Sequence, residues 1–299
     1  MKYNPLKLAI LPVFLTAAGL LCSSFLQAEP STPLESSTQP SGEYASFQQD
    51  GDIRRFIGET LYIDISFLWF ENAASARIGL YEKNGVIYST LEAETKGFIG
   101  FFTSYRKHFY KATFDVLDDG KRFRSRKFER RVIVGDQADA TSHSFDYDTH
   151  THWWYREHNG KLVKSGSEDI PRGVNFDDIL AVFYNFRNEV YGKVEKGARY
   201  TIHTVPEKGM AEIQLHILPP DEQNDFMSQE GRKNGEEFLL KAIIPKEIFQ
   251  TKTGELLFWT SKHLIPLETT VKDYILFGDL HAKLNRRIFQ LPKITSAAK

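Results

Sequence analysis

Cysteine is almost missing from this chain. Cys22 is the only one in 299 residues. A disulfide framework, a cysteine nucleophile and a thiolate-ligated metal are thereby excluded from any domain that begins after it. Charge of one sign is missing too. The formal net charge is −1, which provides no field for gathering nucleic acid, and no nucleic-acid-binding module is recognisable. Long apolar runs are absent except at the start. There, Lys2 and Lys7 precede a nearly all-apolar stretch from Leu8 to Leu21, and small Ala28 stands before Glu29. Charge, apolar run and small-residue end, in that order, are those of a secretory signal peptide over residues 1–28. Pro12 and Ser23-Ser24 interrupt the roughly 20 apolar residues that a spanning helix needs.

The expectation is therefore an exported, periplasmic protein with no transmembrane helix in its mature part. The alternative is a lipoprotein anchored at Cys22, although Leu21 is bulkier than the Gly or Ala usual before a lipidated cysteine. Loss of Lys2 and Lys7, with no acidic residue before Glu29, takes the net charge from −1 to −3. Residues 29–52 are rich in Pro, Ser, Thr, Gln and Glu and read as a disordered tether. Residues 53–292 read as a single β-rich domain, and 293–299 as a tail.

What is abundant is aromatic: 23 Phe, 13 Tyr and four Trp, residues that favour strands and apolar binding surfaces. Leu61, Ile63, Ile65, Phe67 and Trp69 alternate with polar residues, the period of a half-buried strand. Asn84-Gly85 and Asn159-Gly160 are hairpin turns, since both residue types accept positive φ. Strands are expected throughout, with the polar stretch 219–235 a loop. One segment departs from this rhythm. Phe176, Ile179, Leu180, Phe183, Phe186 or Arg187, and Val190 recur at helical spacing, with Asn175 as N-cap, Asp177 and Asp178 in the first turn and Gly192 at the end. The fold expected is mainly β: a large curved antiparallel sheet or incomplete barrel with one central helix, about 176–191.

Three segments, Glu59–Ser66, Asp178–Arg187 and the end from Trp259 through Ile265-Pro266-Leu267 to Phe277–Leu280, resemble an exported bacterial family, the domain of unknown function numbered 3108. The resemblance spans roughly residues 56–290. It implies an envelope protein of mostly β structure with no established reaction, and it carries over no catalytic residue.

Candidate chemistry is sparse. Asp146, Asp148, His150 and His152 are the densest set of potential metal ligands; an exposed hairpin turn at Tyr147–His150 accounts for them better, and no metal is expected. No Gly-x-Ser-x-Gly elbow occurs. The acid pairs Asp177-Asp178 and Glu236-Glu237 read as helix-start and strand-edge charge rather than as glycosidase acids. Arg122, Arg124 and Arg126, with Lys127, Arg130 and Arg131, form a basic ladder suited to a solvated outer face or to an anionic lipid or polysaccharide. Phe98, Phe101, Phe102 and Tyr105, punctuated by Gly97 and Gly100, suggest a flexible aromatic loop at a barrel mouth, or rings that simply plug one end of the core. With Trp69 and Phe183 they are the candidate ligand-binding residues, and no cofactor is implied. The expected role is a non-enzymatic envelope protein holding an apolar or amphipathic ligand, such as a lipid. A structural or interaction protein of the envelope with a filled core and an envelope protein partner comes next, and an envelope hydrolase third.

Overall fold

The computed structural model describes residues 51–204, 211–229, 238–246, 251–274 and 278–290. The leader 1–28, nearly all of the tether 29–52, the acid pair Glu236-Glu237 and the tail 293–299 lie outside them. Among the described residues the fold is one antiparallel sheet of fourteen strands, not closed into a barrel. The first eight are β1 (Glu59–Phe67), β2 (Phe70–Lys83), β3 (Val86–Thr95), β4 (Lys107–Leu117), β5 (Arg122–Val134), β6 (Gln137–Asp146), β7 (Thr151–His158) and β8 (Lys161–Asp169). They meander away from β1 in order. The chain then crosses to the opposite edge through a helix and meanders back along β9 (Arg199–Thr204), β10 (Ala211–Ile217), β11 (Phe238–Ile243), β12 (Glu255–Thr260), β13 (Pro266–Tyr274) and β14 (Gly278–Phe289). The last strand pairs with β1, joining the two halves at a central seam.

The turns follow local chemistry. Asn84 and Gly85 take φ of 53° and 75°, and Asn159 and Gly160 take 50° and 73°, the left-handed pair that matches strand twist. Register shifts at Tyr62/Ile63, Thr113/Phe114 and Trp259/Thr260 each insert a bulge, and bulges bend a sheet.

Among the described residues three α-helices accompany it: α1 (Gly97–Phe102), α2 (Ile179–Arg187) and α3 (Pro220–Gln229). The helix expected over 176–191 is α2, shorter at both ends. Its N-cap is Asp178, not Asn175. The Asp178 Oδ1 accepts the Leu180 and Ala181 N–H groups at 2.8 and 3.1 Å, and its Oδ2 accepts the Ser125 hydroxyl at 2.6 Å. The segment 219–235, read as a loop, begins with α3. Its Phe226 and Met227 pack on Leu218, Leu239, Leu257 and Trp259, an apolar patch too small to show as a periodic stripe.

Helix α2 lies in the trough of the sheet and is apolar nearly all round, as a helix buried on both sides must be. Leu180, Ala181 and Tyr184 join a core with Phe56, Leu80, Tyr110, Phe114 and Phe123. Phe186 and Val182 join a second core with Ile202, Ile213, Leu215 and Leu240 from the other half. The Asn185 amide completes the seal where β5 has no β6 partner. Its Oδ1 accepts the Phe123 N–H at 2.9 Å, and its Nδ2 donates to the Phe123 carbonyl at 2.8 Å. The last residue of α2, Arg187, is tied to the seam. Its Nη1 and Nη2 donate to the two Glu59 oxygens at 2.6 and 2.9 Å, and Arg287 Nε donates to Oε1 at 2.7 Å. Glu59 is 0% exposed. Gly58, beside it, takes φ of 91° and lies so close to the Gln290 carbonyl that a Cβ would collide with it.

Burial alone would raise the Glu59 carboxyl, but Arg187 and Arg287 outweigh burial and hold it below its ordinary range. The stability this lends is present above the ordinary carboxylate pKa and is lost as pH falls through the lowered one. Arg187→Leu removes one of the partners of a buried charge and is expected to cost about 3–5 kcal/mol; urea unfolding at pH 7 measures it. Asp178 runs the other way: burial pushes its carboxyl up to about 6, against the Ser125 hydroxyl and the capping N–H groups. Its stabilising effect is full below the ordinary carboxylate pKa and is lost as pH rises through about 6. Asn caps as well as Asp. Asp178→Asn is therefore expected to flatten this pH dependence while leaving the helix in place, as denaturation midpoints at pH 4, 5, 6 and 7 will show.

Candidate functional site

A cavity of about 590 Å³ runs between α2 and the inner face of the sheet. Its existence has a simple cause in sequence. At inward positions where strands usually carry Val, Ile or Leu, this chain places Ala73, Ala74, Ala76, Ala93, Ala242 and Ala282. Helix α2, about 14 Å long, spans only part of the trough. Most of the remaining lining is apolar, with Ile63 and Ile65 of β1, Phe183 of α2, Leu240 of β11 and Leu280 of β14 among it.

At one end the cavity meets α1. Ile99 and Phe102 face it, followed by Thr103, Ser104 and Arg106. The connection is bent into an unusual shape. Gly97 takes φ of 53°, and Ser104 and Tyr105 take 54° and 48° in succession. Two adjacent left-handed non-glycine residues store backbone strain, and such strain gathers at functional sites. The bend is held by Tyr105 N–H donating to Gly100 O at 2.6 Å and Gly135 N–H donating to Ser104 O at 2.9 Å.

The structure divides the six aromatic candidates. Phe102 and Phe183 line the cavity. Phe98, Phe101, Tyr105 and Trp69 do not; all four are exposed, Phe101 at 68% and Trp69 at 79%, and Phe102 at the mouth is 63% exposed as well. The segment expected as a loop is a single short helix, and helical geometry turns Phe98 and Phe101 outward. Trp69 sits in the two-residue turn between β1 and β2, past the end of the alternation. The outward rings nevertheless form one chain of contacts with the mouth. Ring centroids are 5.5 Å apart for Trp69 and Phe70, 5.3 Å for Phe70 and Phe98, and 4.4 Å for Phe98 and Phe102.

The four metal candidates are separated. Asp146 accepts the Asp148 and Thr149 N–H groups within the β6–β7 turn, both at 3.0 Å. His150 occupies that turn at φ of 53°. His152 is buried and turned to His143, its Nε2 lying 3.0 Å from His143 Nδ1. Among the described residues no three His, Cys, Asp or Glu side chains are placed to hold a metal ion.

Sequence reasoning missed the alanines, Arg106 and His108. The signal was present: Tyr110, Ala112 and Phe114 are apolar at period two, and extending that face backwards reaches His108 and Arg106. The basic ladder is mostly consumed in ion pairs. Arg122 meets buried Asp177 at 2.6 Å, and Arg124 meets Asp115 at 3.0 Å.

No family model matches the chain, and no curated protein matches it. Among solved structures it is similar to a β-barrel-like protein of domain of unknown function 1849 from Brucella abortus. That match covers 79% of this chain and 99% of that one, at 9% identity and a TM-score of 0.43. It is also similar to a protein of domain of unknown function family 1089 from Pseudomonas aeruginosa. There the coverage is 69% and 87%, the identity 8% and the TM-score 0.23. Among the described residues no helix is long and apolar enough to cross a membrane.

The His143–His152 pair generates a pH prediction. Burial first, and His152 second, push His143 down to about 3, and burial lowers His152 as well. Unfolding frees both to titrate near 6.5, so the stability they lend is lost as pH falls below that value. His143→Phe/His152→Phe is expected to lose less stability than the parent between pH 6.5 and 4, read from urea midpoints.

Proposed function

We propose that this is an exported, non-enzymatic protein of the cell envelope that holds an apolar or amphipathic ligand in the cavity beneath α2. The observation that carries the reading is the alanine-lined space itself. A closed apolar void of this size would cost on the order of 10 kcal/mol, comparable to the whole stability of a domain. Exposing its lining to water would be unfavourable at about 25 cal/mol per Å². A bound apolar molecule removes either cost. The volume falls within the range of small-molecule sites, roughly 300–1,000 Å³, and the exposed rings from Trp69 to Phe102 offer an apolar path to the mouth. The order of charge, apolar run and small residue over 1–28 supports export.

Membership of the family numbered 3108 is part of this proposal. The segments that carry the resemblance supply β1 and α2, the two elements joined by Glu59 and Arg187. No reaction follows from it.

The test fills the space. A fluorescent fatty-acid probe is expected to bind the parent with one site. Ala93→Phe projects a ring from β3 into the cavity. It is expected to abolish binding while keeping or raising the melting temperature, because the ring occupies space already present. Unchanged probe binding in a folded Ala93→Phe protein would place the ligand elsewhere and sink the reading.

A further inference from the structure

Polar groups of the cavity cluster at the end beside α1, whereas Arg187, on the same lining, is already held by Glu59. Arg106 and His108 line that end, and Tyr110 follows on the same face of β4. Arg106 Nη1 is buried and has no hydrogen-bond partner among the described residues. Arg130 arrives on this inner face from β5, where it stands opposite Tyr110. The bulge between Thr113 and Phe114 puts it there. Inward positions on β5 run Phe123, Ser125, and then, one step out of phase, Phe128 and Val132. Arg130 falls on the shifted phase. Its Nε and Nη2 are also buried without a partner among the described residues, and its guanidinium lies 5.9 Å from the Tyr110 ring centroid.

Buried guanidinium donors without acceptors are costly. Elsewhere in this fold such guanidinium groups, although each also has one buried nitrogen without an acceptor among the described residues, are matched by a carboxylate: Arg122 by Asp177, Arg187 and Arg287 by Glu59. The end of the cavity differs. Among the described residues its one lining carboxylate is Glu94, which is exposed and stands opposite Lys107 in the sheet. His108 adds no charge. Burial first, and then Arg106 and Arg130, push it down to about 4, so it is neutral at physiological pH.

We infer that the cavity takes a single-chain anionic amphipath, a carboxylate or phosphate monoester whose head group meets Arg106, with Arg130 behind it, and whose chain runs toward Phe183, Leu240 and Leu280. The inference rests on the reading of the cavity as a ligand site and names the ligand class. The guanidinium fork suits the two or three oxygens of such a head group. The alanine-lined bore suits an unbranched chain.

The experiment is displacement of the fluorescent probe from the full chain by dodecanoate, dodecyl phosphate and dodecanol, below their aggregation concentrations. The three share a chain and differ in head group. At least one anion is expected to displace the probe about tenfold or more better than dodecanol, the scale of a hydrogen bond to a charged group. The better of the two identifies the head group. Arg106→Met keeps the apolar stem without the charge. It is expected to bring both anions within about twofold of dodecanol, with dodecanol itself unchanged, and Arg106→Lys is expected to restore part of the preference. Equal displacement by all three compounds in the parent, or a preference surviving in Arg106→Met, would overturn the inference and leave the cavity reading standing. If none of the three displaces the probe, the cavity reading itself falls. Melting curves and dodecanol affinity confirm that each variant is folded.

Discussion

One buried carboxylate holds the architecture together. Glu59 opens β1 at the seam where the first and last strands meet, and it is gripped from opposite directions by Arg287 of β14 and Arg187 of α2. Without it, the depth of the helix in the trough would rest on the Asp178 and Asn185 hydrogen bonds and on its apolar faces, and apolar contact is not directional. With it, the helix C-terminus is fixed to the sheet, in the position where the helix dipole also favours a cation. The Arg187 guanidinium lies 4.6 Å from the Phe56 ring centroid and 5.0 Å from that of Phe183, so the pair is shielded from water by the rings it orients. At the other end of α2, Ser125 and Asp178 exchange hydrogen bonds at 2.6 and 3.0 Å. The helix is clamped at both ends, and the space left beside it follows from that placement.

The cavity then arises from three causes acting together. Bulges curve the sheet more than a flat ladder would allow. The short helix fills only part of the resulting trough. Alanines keep the inner surfaces of β2, β3, β11 and β14 thin. Arg106 and Arg130 reach the same end by different routes, one by simple alternation along β4 and one by the phase shift in β5. That end also borders α1 and the strained Ser104-Tyr105 corner. Apolar volume, unpaired cationic donors and backbone strain thus coincide in one place.

Much of the fold was legible in the sequence because strand period and Asn-Gly turns are local signals. Leu61, Ile65 and Phe67 are buried where alternation put them. The α2 segment was legible because Leu180, Phe183 and their neighbours recur at helical spacing. The cap was misplaced by three residues because Asn175 and Asp178 are equally good cap types, and only Ser125, far away in sequence, decides between them. Helix α1 was not legible. Six residues with two glycines carry no helical period, and so the outward turn of Phe98 and Phe101 could not be foreseen. Arg130 was hidden because a bulge changes which face a residue occupies, and the Thr113/Phe114 shift leaves no mark in composition. The His152 contact with His143 was hidden for the ordinary reason that pairing partners lie across a hairpin.

Native mass spectrometry of protein purified without detergent or organic solvent tests the central claim most directly. The account predicts a species heavier than the bare chain by the mass of one acyl-chain-sized acid, released on collisional activation and absent from Ala93→Phe. A single peak at the mass of the bare polypeptide, from protein that still binds no added amphipath, would contradict it and leave the trough beside α2 as a feature of packing alone.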